Sequence, residues 1–251
     1  MLPEAVTAVV FAGALVFMRT GAMVMLLPGF GESFIPPRIR LAFAVAAAVL
    51  LAPVLAPALP PVPDQPAVLA AVIGSEILIG IVIGAIARLF MTALTVAGQL
   101  IGLQTGLAFA QAVDPALGQQ GAIAGAFLNV TALALIFVSG LHHLFLMGVR
   151  GSYEAFPAGL PIPVGDAAEW ALQSFTASFA LGVQMAAPLM VFGLVFYLAL
   201  GVLSRLMPQA QIFFIAMPSN ILIGLSIMAL VLGAMMMAWL GQLEDFASEL
   251  S

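Results

Sequence analysis

GQLIGLQTGLAFAQAVDPALGQQG, residues Gly98–Gly121, begins as a membrane helix and ends as a segment that cannot be one. Gly98, Gly102 and Gly106 recur every four residues and lay a smooth strip on one helix face, where a second backbone can approach closely. Gln99, Gln104, Gln111, Gln119 and Gln120 then bring amides into the run, and Asp114-Pro115 with Gly118 ends the helix. Irregular backbone at membrane depth is tolerated only where it is buried in protein or lines a wet cavity. Small residues for hinging, the bulky Phe109 for closing and little fixed charge are what a movable constriction requires. A plain amphipathic connecting loop is the competing reading.

Composition fixes the solvent. The 251 residues are 64% hydrophobic and 7% charged, with a mean hydropathy of +1.22, more apolar surface than one chain can hide in its own core. With no cysteine, neither a disulfide framework nor thiolate chemistry is available. The six basic residues are all arginine and the net charge is −5, which leaves no basic patch for nucleic acid.

Outward from the opening stretch lie six apolar runs, each long enough for the roughly 20 residues a span needs: Ala5–Leu27, Ile39–Leu59, Val68–Leu103, Ala122–Val149, Ala171–Leu203 and Ile212–Leu240. The first carries Arg19 and follows Glu4, so it is expected to be a retained helix, not a cleaved signal. The third, fifth and sixth, at about 43 to 54 Å if straight, exceed a bilayer and should tilt, bend or protrude. Prolines at 28, 36 and 37, from 53 to 66, at 157 to 163 and at 208 mark joints, and Pro188 predicts a kink within the fifth run. Arg38, Arg40 and Arg205 put the odd-numbered loops in the cytoplasm and both termini outside, with Arg150 opposed. On that orientation Trp170 and Trp239 fall at the outer interface, where indole rings prefer to sit.

Gly80 and Gly84 repeat the small-residue spacing one segment before the opening stretch. Glu76 and Arg88, about 18 Å apart along one straight helix, cannot pair with each other, so each should pair with another helix or subunit; Arg19 has the same status. His142 and His143, adjacent on a helix, are expected to diverge and not to share an ion, and neighbours Ser139 and His142 do not make a protease dyad. Neither a phosphate-cradling glycine loop with lysine nor a His-Glu-x-x-His zinc motif occurs. The methionine run Met235–Met237 is expected to fill core or face lipid.

Several blocks in order carry a family resemblance. LTVAGQLIGLQTGLAFAQAVDPALG, Leu94–Gly118, resembles the central signature of the FliR family of type III secretion export-gate proteins, whose virulence relatives are the SpaR and YscT proteins. RTGAMVMLLPGFGESFIPPRIRLAFA, EILIGIVIGAIARLF, SGLHHLFLMGVRGSYEAFPAG and ALGVLSRLMPQAQIFFIAMPSNILIG resemble the family's other segments, in the family's order, and together cover most of the chain.

The resemblance implies an all-α membrane protein of about six long, partly kinked hydrophobic helices arranged as hairpins. It forms a single membrane domain over 1–251, about 1–165 resembling FliP and about 166–251 resembling FliQ. It implies a non-enzymatic subunit without cofactor or metal, present once in a hetero-oligomeric gate with FliP-like and FliQ-like subunits. The gate passes unfolded flagellar proteins across the bacterial inner membrane, within the flagellar basal body. Gly102, Gln104, Gly106, Leu107, Phe109, Asp114 and Pro115 are then expected in a channel plug. Arg19, Glu76 and Arg88 are expected at subunit contacts, and Arg205, Pro208 and Gln209 at a cytoplasmic entrance turn that meets an FlhB-like subunit. The flagellar branch fits better than the injectisome branch. A small-molecule or ion transporter is the alternative that the residues alone leave open, with an intramembrane protease behind it.

Overall fold

The structure, a computed structural model, describes residues 2–107, 123–160, 163–207 and 212–250. Among these residues there are seven α-helices and no strand: α1 (Leu2–Leu26), α2 (Pro37–Leu55), α3 (Pro66–Thr105), α4 (Ile123–Val138), α5 (Leu141–Ala155), α6 (Val164–Leu206) and α7 (Ile212–Leu250), with a single 3-10 turn at Ala56–Ala58. The all-α expectation holds, and the sequence sets the boundaries by familiar means. Pro37 and Pro66 open α2 and α3, where a missing N–H costs nothing because the first turn has no partner for it. Gly29 (φ 85°) follows α1 and Gly106 (φ 78°) follows α3, both in the left-handed region that lets a chain leave a helix.

Five helices are long and apolar enough to cross a membrane, or six if α4 and α5 count as one bent span. The overlong runs are longer still in the structure: α3 has 40 residues, α6 has 43 and α7 has 39, so α3 alone extends about 60 Å. α6 continues through Pro188 and α7 through Pro218. The fourth run is bent. Within it α4 and α5 meet at 75° with Gly140 (φ 78°) between them.

The helices divide between two compact units. The first comprises Met1–Leu89, Ile136–Phe175 and Gln242–Ser251. In it α1 and α2 form a hairpin, and Gly80 and Gly84 let α3 lie against α1, where added β-carbons would run into Ala22 and Leu26. Leu15, Val24, Ile83 and Val149 are fully buried in this unit, and Phe30 stacks on Phe43 with Phe137 edge-on. Trp170 stacks on Phe246, with ring centroids 5.5 Å apart. The second unit comprises Phe90–Leu135 and Thr176–Gly241. Its fully buried side chains include Leu94, Ile101, Leu128, Leu189 and Trp239. Trp239, expected with its ring toward an interface, is instead enclosed by protein: the indole is 0% exposed and donates to the Phe90 carbonyl at 2.8 Å. Met235 and Met236 are buried beside it in sequence and Met237 is exposed, so the run is shared between core and outer surface.

Much of the apolar surface faces outward. Only 17% of the most apolar window of α6 is buried, and Leu230 on α7 is 86% exposed. Contiguous apolar surface of this extent requires lipid or protein around it.

Candidate functional site

Two constellations organise the polar residues that the sequence singled out. The first is the carboxyl end of α3. Gly98 crosses Gly125 of α4 so closely that an added β-carbon would overlap that glycine's backbone. Asn129 beside this crossing donates to the Gly125 carbonyl at 2.9 Å and to Thr95 Oγ1 at 3.4 Å. One helical turn further Gly102 is buried, and the Thr105 hydroxyl donates back to the Ile101 carbonyl at 2.8 Å. Glycines on the neighbouring helices complete the seat: Gly193 of α6 lies directly against the Gln104 side chain, and Gly224 of α7 against Thr105.

The last carbonyls of an α-helix have no partner within it. At the end of α3 one of them is claimed from another helix, since Asn220 of α7 donates from Nδ2 to the Gln104 carbonyl at 3.0 Å. The same amide group also donates to the Tyr197 hydroxyl of α6 at 3.4 Å. Gly106 then turns out of the helix at φ 78°, a conformation that a β-carbon resists, with Leu107 half-buried behind it. Phe109, Asp114 and Pro115 lie outside the described residues. The glycine spacing thus located the close packing, whereas the helix ends at Thr105 and turns at Gly106, earlier than the Asp114-Pro115 break expected from the residues, and Asn220 was missed. Its signal was present: a carboxamide in an apolar helix, two residues after Pro218, needs a partner.

The second constellation, in the first unit, is centred on Arg19. Its guanidinium donates from Nε and Nη2 to the two carboxylate oxygens of Glu76 at 2.8 and 2.9 Å. It also donates to the carbonyls of Ser152 and Phe156, both at 2.8 Å, and lies 3.7 Å above the Tyr153 ring. The arrangement joins α1, α3 and the end of α5 through one fully paired cation. Arg88 pairs with Glu32, a residue between α1 and α2, at 2.7 Å, and remains 41% exposed. Glu76 and Arg88 therefore do pair away from each other, and both partners belong to this chain.

Arg205 is exposed in the last turn of α6, and Pro208 and Gln209 lie outside the described residues. His142 and His143 do not diverge as expected, for their rings lie 4.0 Å apart, each with Nδ1 near a main-chain carbonyl of the α4–α5 bend. Among the described residues no three potential ligands gather to hold a metal ion. An apolar groove of about 450 Å³ between α1 and α2, with Val9, Gly13, Phe17, Val45 and Ala52 in its walls, offers a polar solute no side-chain partner.

The family described as bacterial export proteins, family 1, matches residues 10–246. The chain is 46% identical over 230 residues to the flagellar biosynthetic protein FliR of Caulobacter vibrioides, covering 92% of each. It is 30% identical over 210 residues to the protein of the same name from Bacillus subtilis, covering 82% of this chain and 80% of the relative. With the Yop proteins translocation protein T of Yersinia pestis the identity is 28% over 146 residues, 57% of this chain and 56% of the relative.

Proposed function

This chain belongs to the bacterial export proteins, family 1, and from that membership we propose that it is a non-catalytic core subunit of the flagellar type III protein export gate. The observation that carries the reading is the family match across residues 10–246, which takes in the whole of the Gly98–Gly121 stretch. In this proposal Gly102, Gln104, Gly106 and Leu107 form the root of a channel plug whose further members are Phe109, Asp114 and Pro115. A constriction closed by apolar side chains excludes ions by excluding water, which suits a pore that must open for a polypeptide and stay tight between passages. The seat of glycines around the end of α3 supports a fixed root.

One copy of the chain would join FliP-like and FliQ-like subunits in the bacterial inner membrane, within the flagellar basal body. About residues 1–165 would serve as the FliP-like part and about 166–251 as the FliQ-like part. Arg205, Pro208 and Gln209 would meet an FlhB-like subunit at the cytoplasmic entrance. Arg88, half-exposed beyond its pair with Glu32, would meet a neighbouring subunit directly. The buried Arg19 and Glu76 would serve subunit contacts by fixing the helices that make them. The flagellar system is favoured over an injectisome by the higher identity and coverage of the flagellar relatives.

The test is assembly. Co-production of the tagged chain with the FliP-like and FliQ-like proteins of the same genome, followed by native mass spectrometry in detergent, should give a hetero-oligomer with one copy of this chain. A stable monomer or homodimer that ignores those partners would turn attention back to a transporter.

A further inference from the structure

We propose that Asn220 is a positioning residue that latches the exit end of α3, and so sets where the chain leaves the helix at Gly106. The inference rests on the reading that the segment beginning at Gly106 is the root of a plug.

Three observations meet at this point. The Asn220 side chain is buried, at 3% exposure, on a helix whose other polar residues nearby are Ser219 and Ser226. Its Nδ2 group joins three helices, giving one hydrogen to the Gln104 carbonyl of α3 and one to the Tyr197 hydroxyl of α6. Where lipid or protein replaces water, a helix-end carbonyl has few other donors, so the bond to Gln104 holds more firmly than it would in solvent. The same two neighbouring helices press glycines, Gly193 and Gly224, onto Gln104 and Thr105, so the latch sits where backbone and side chain are already in close contact. Asn220 Nδ2 is also the atom nearest to a β-carbon placed on Gly106, at 3.6 Å. One carboxamide therefore reaches both the last turn of α3 and the residue where the chain turns away. A displacement of α6 or α7 would pull on, or release, that turn.

The absence of cysteine makes a labelling test direct. A nitroxide attached at Leu107→Cys, in the complex assembled with the FliP-like and FliQ-like subunits, reports motion just beyond the latch. The same label at Leu230→Cys, an outward-facing position on α7, reports general loosening. Replacing Asn220 by Leu keeps the branched four-atom shape of the side chain, in a somewhat larger volume, and removes the hydrogen bonds. The expected result is a roughly fivefold rise in the ratio of mobile to immobile label at 107, the shift that one lost internal hydrogen bond produces, with the label at 230 unchanged. Asn220→Gln, which retains the carboxamide, should restore part of the immobile signal.

An unchanged spectrum at 107, or equal loosening at both positions, would overturn the latch. If Asn220→Leu does not assemble, Asn220→Ser, too short to reach Gln104, decides the matter by the same spectra. Ion conductance judges the plug separately. A complex lacking Leu107–Gln111 that remains tight would remove the plug reading, and the spectra would still decide the latch.

Discussion

Arg19 and Glu76, fifty-seven residues apart in sequence, meet in a two-point salt bridge with both side chains at 0% exposure. Buried ion pairs of this kind are costly to break one partner at a time, because the survivor keeps its charge in a medium that cannot solvate it. Arg19→Met or Glu76→Gln should each destabilise the chain by about 3–5 kcal/mol. Arg19→Met should be the worse, since it also takes the guanidinium donor from the Phe156 carbonyl and one of two donors from the Ser152 carbonyl. The double replacement Arg19→Met/Glu76→Met should cost less than the sum of the singles. Thermal unfolding in detergent reads all of these, and strict additivity would show that the two residues act independently.

Glycine packing gives a sharper contrast. Gly98→Ala places a methyl group into the backbone of Gly125, whereas Gly13→Ala meets nothing within 4 Å. The first should cost about 1–3 kcal/mol from overpacking and lower the amount of folded protein in membranes. The second should leave that amount unchanged. Similar behaviour of both variants would mean that α3 and α4 are farther apart than described.

Trp239 offers an optical check. In a Trp170→Phe chain the remaining indole should emit toward the blue and resist quenching by brominated lipid, because it is enclosed and hydrogen-bonded to Phe90. An interfacial indole would be quenched readily. Trp239→Phe, which removes the indole hydrogen bond to the Phe90 carbonyl within α3, should cost about 0.5–1.5 kcal/mol of stability.

Deleting Leu107–Gln111 addresses the proposed plug. Membranes that contain the assembled complex with this deletion should leak ions or small solutes, while complexes with the intact chain stay tight. Conductance that does not change would argue against any sealing role for the segment.

Most of the helical architecture was legible in sequence because its signal is local. A run of apolar residues between prolines and glycines states its own solvent and its own ends, and glycines four apart state a close contact without naming the partner. The partners themselves are long-range. Nothing near Arg19 indicates Glu76, and nothing near Gln104 indicates Asn220, since helices of 25, 39 and 40 residues can be placed against one another in many registers. The bend at Ser139-Gly140 was hidden for a different reason. Glycine is common in membrane helices, and only the adopted φ of 78° separates a break from a packing position. Trp239 was misplaced because a preference of indole for interfaces is statistical, and a carbonyl at hydrogen-bonding distance outweighs it.

The interleaving of the two compact units bears on how the chain is made. Gln242–Ser251 belong with Met1–Leu89, and Leu250 closes over Gly148, 3.2 Å from where a β-carbon on that glycine would lie. A ribosome adding roughly 5–20 residues per second needs on the order of ten seconds to travel from the end of the first stretch to the last. Throughout that interval the amino-terminal helices wait in the membrane with part of their packing surface uncovered. The unit that translation begins first is therefore among the last to be finished, and a nascent chain stalled near residue 240 would hold it open.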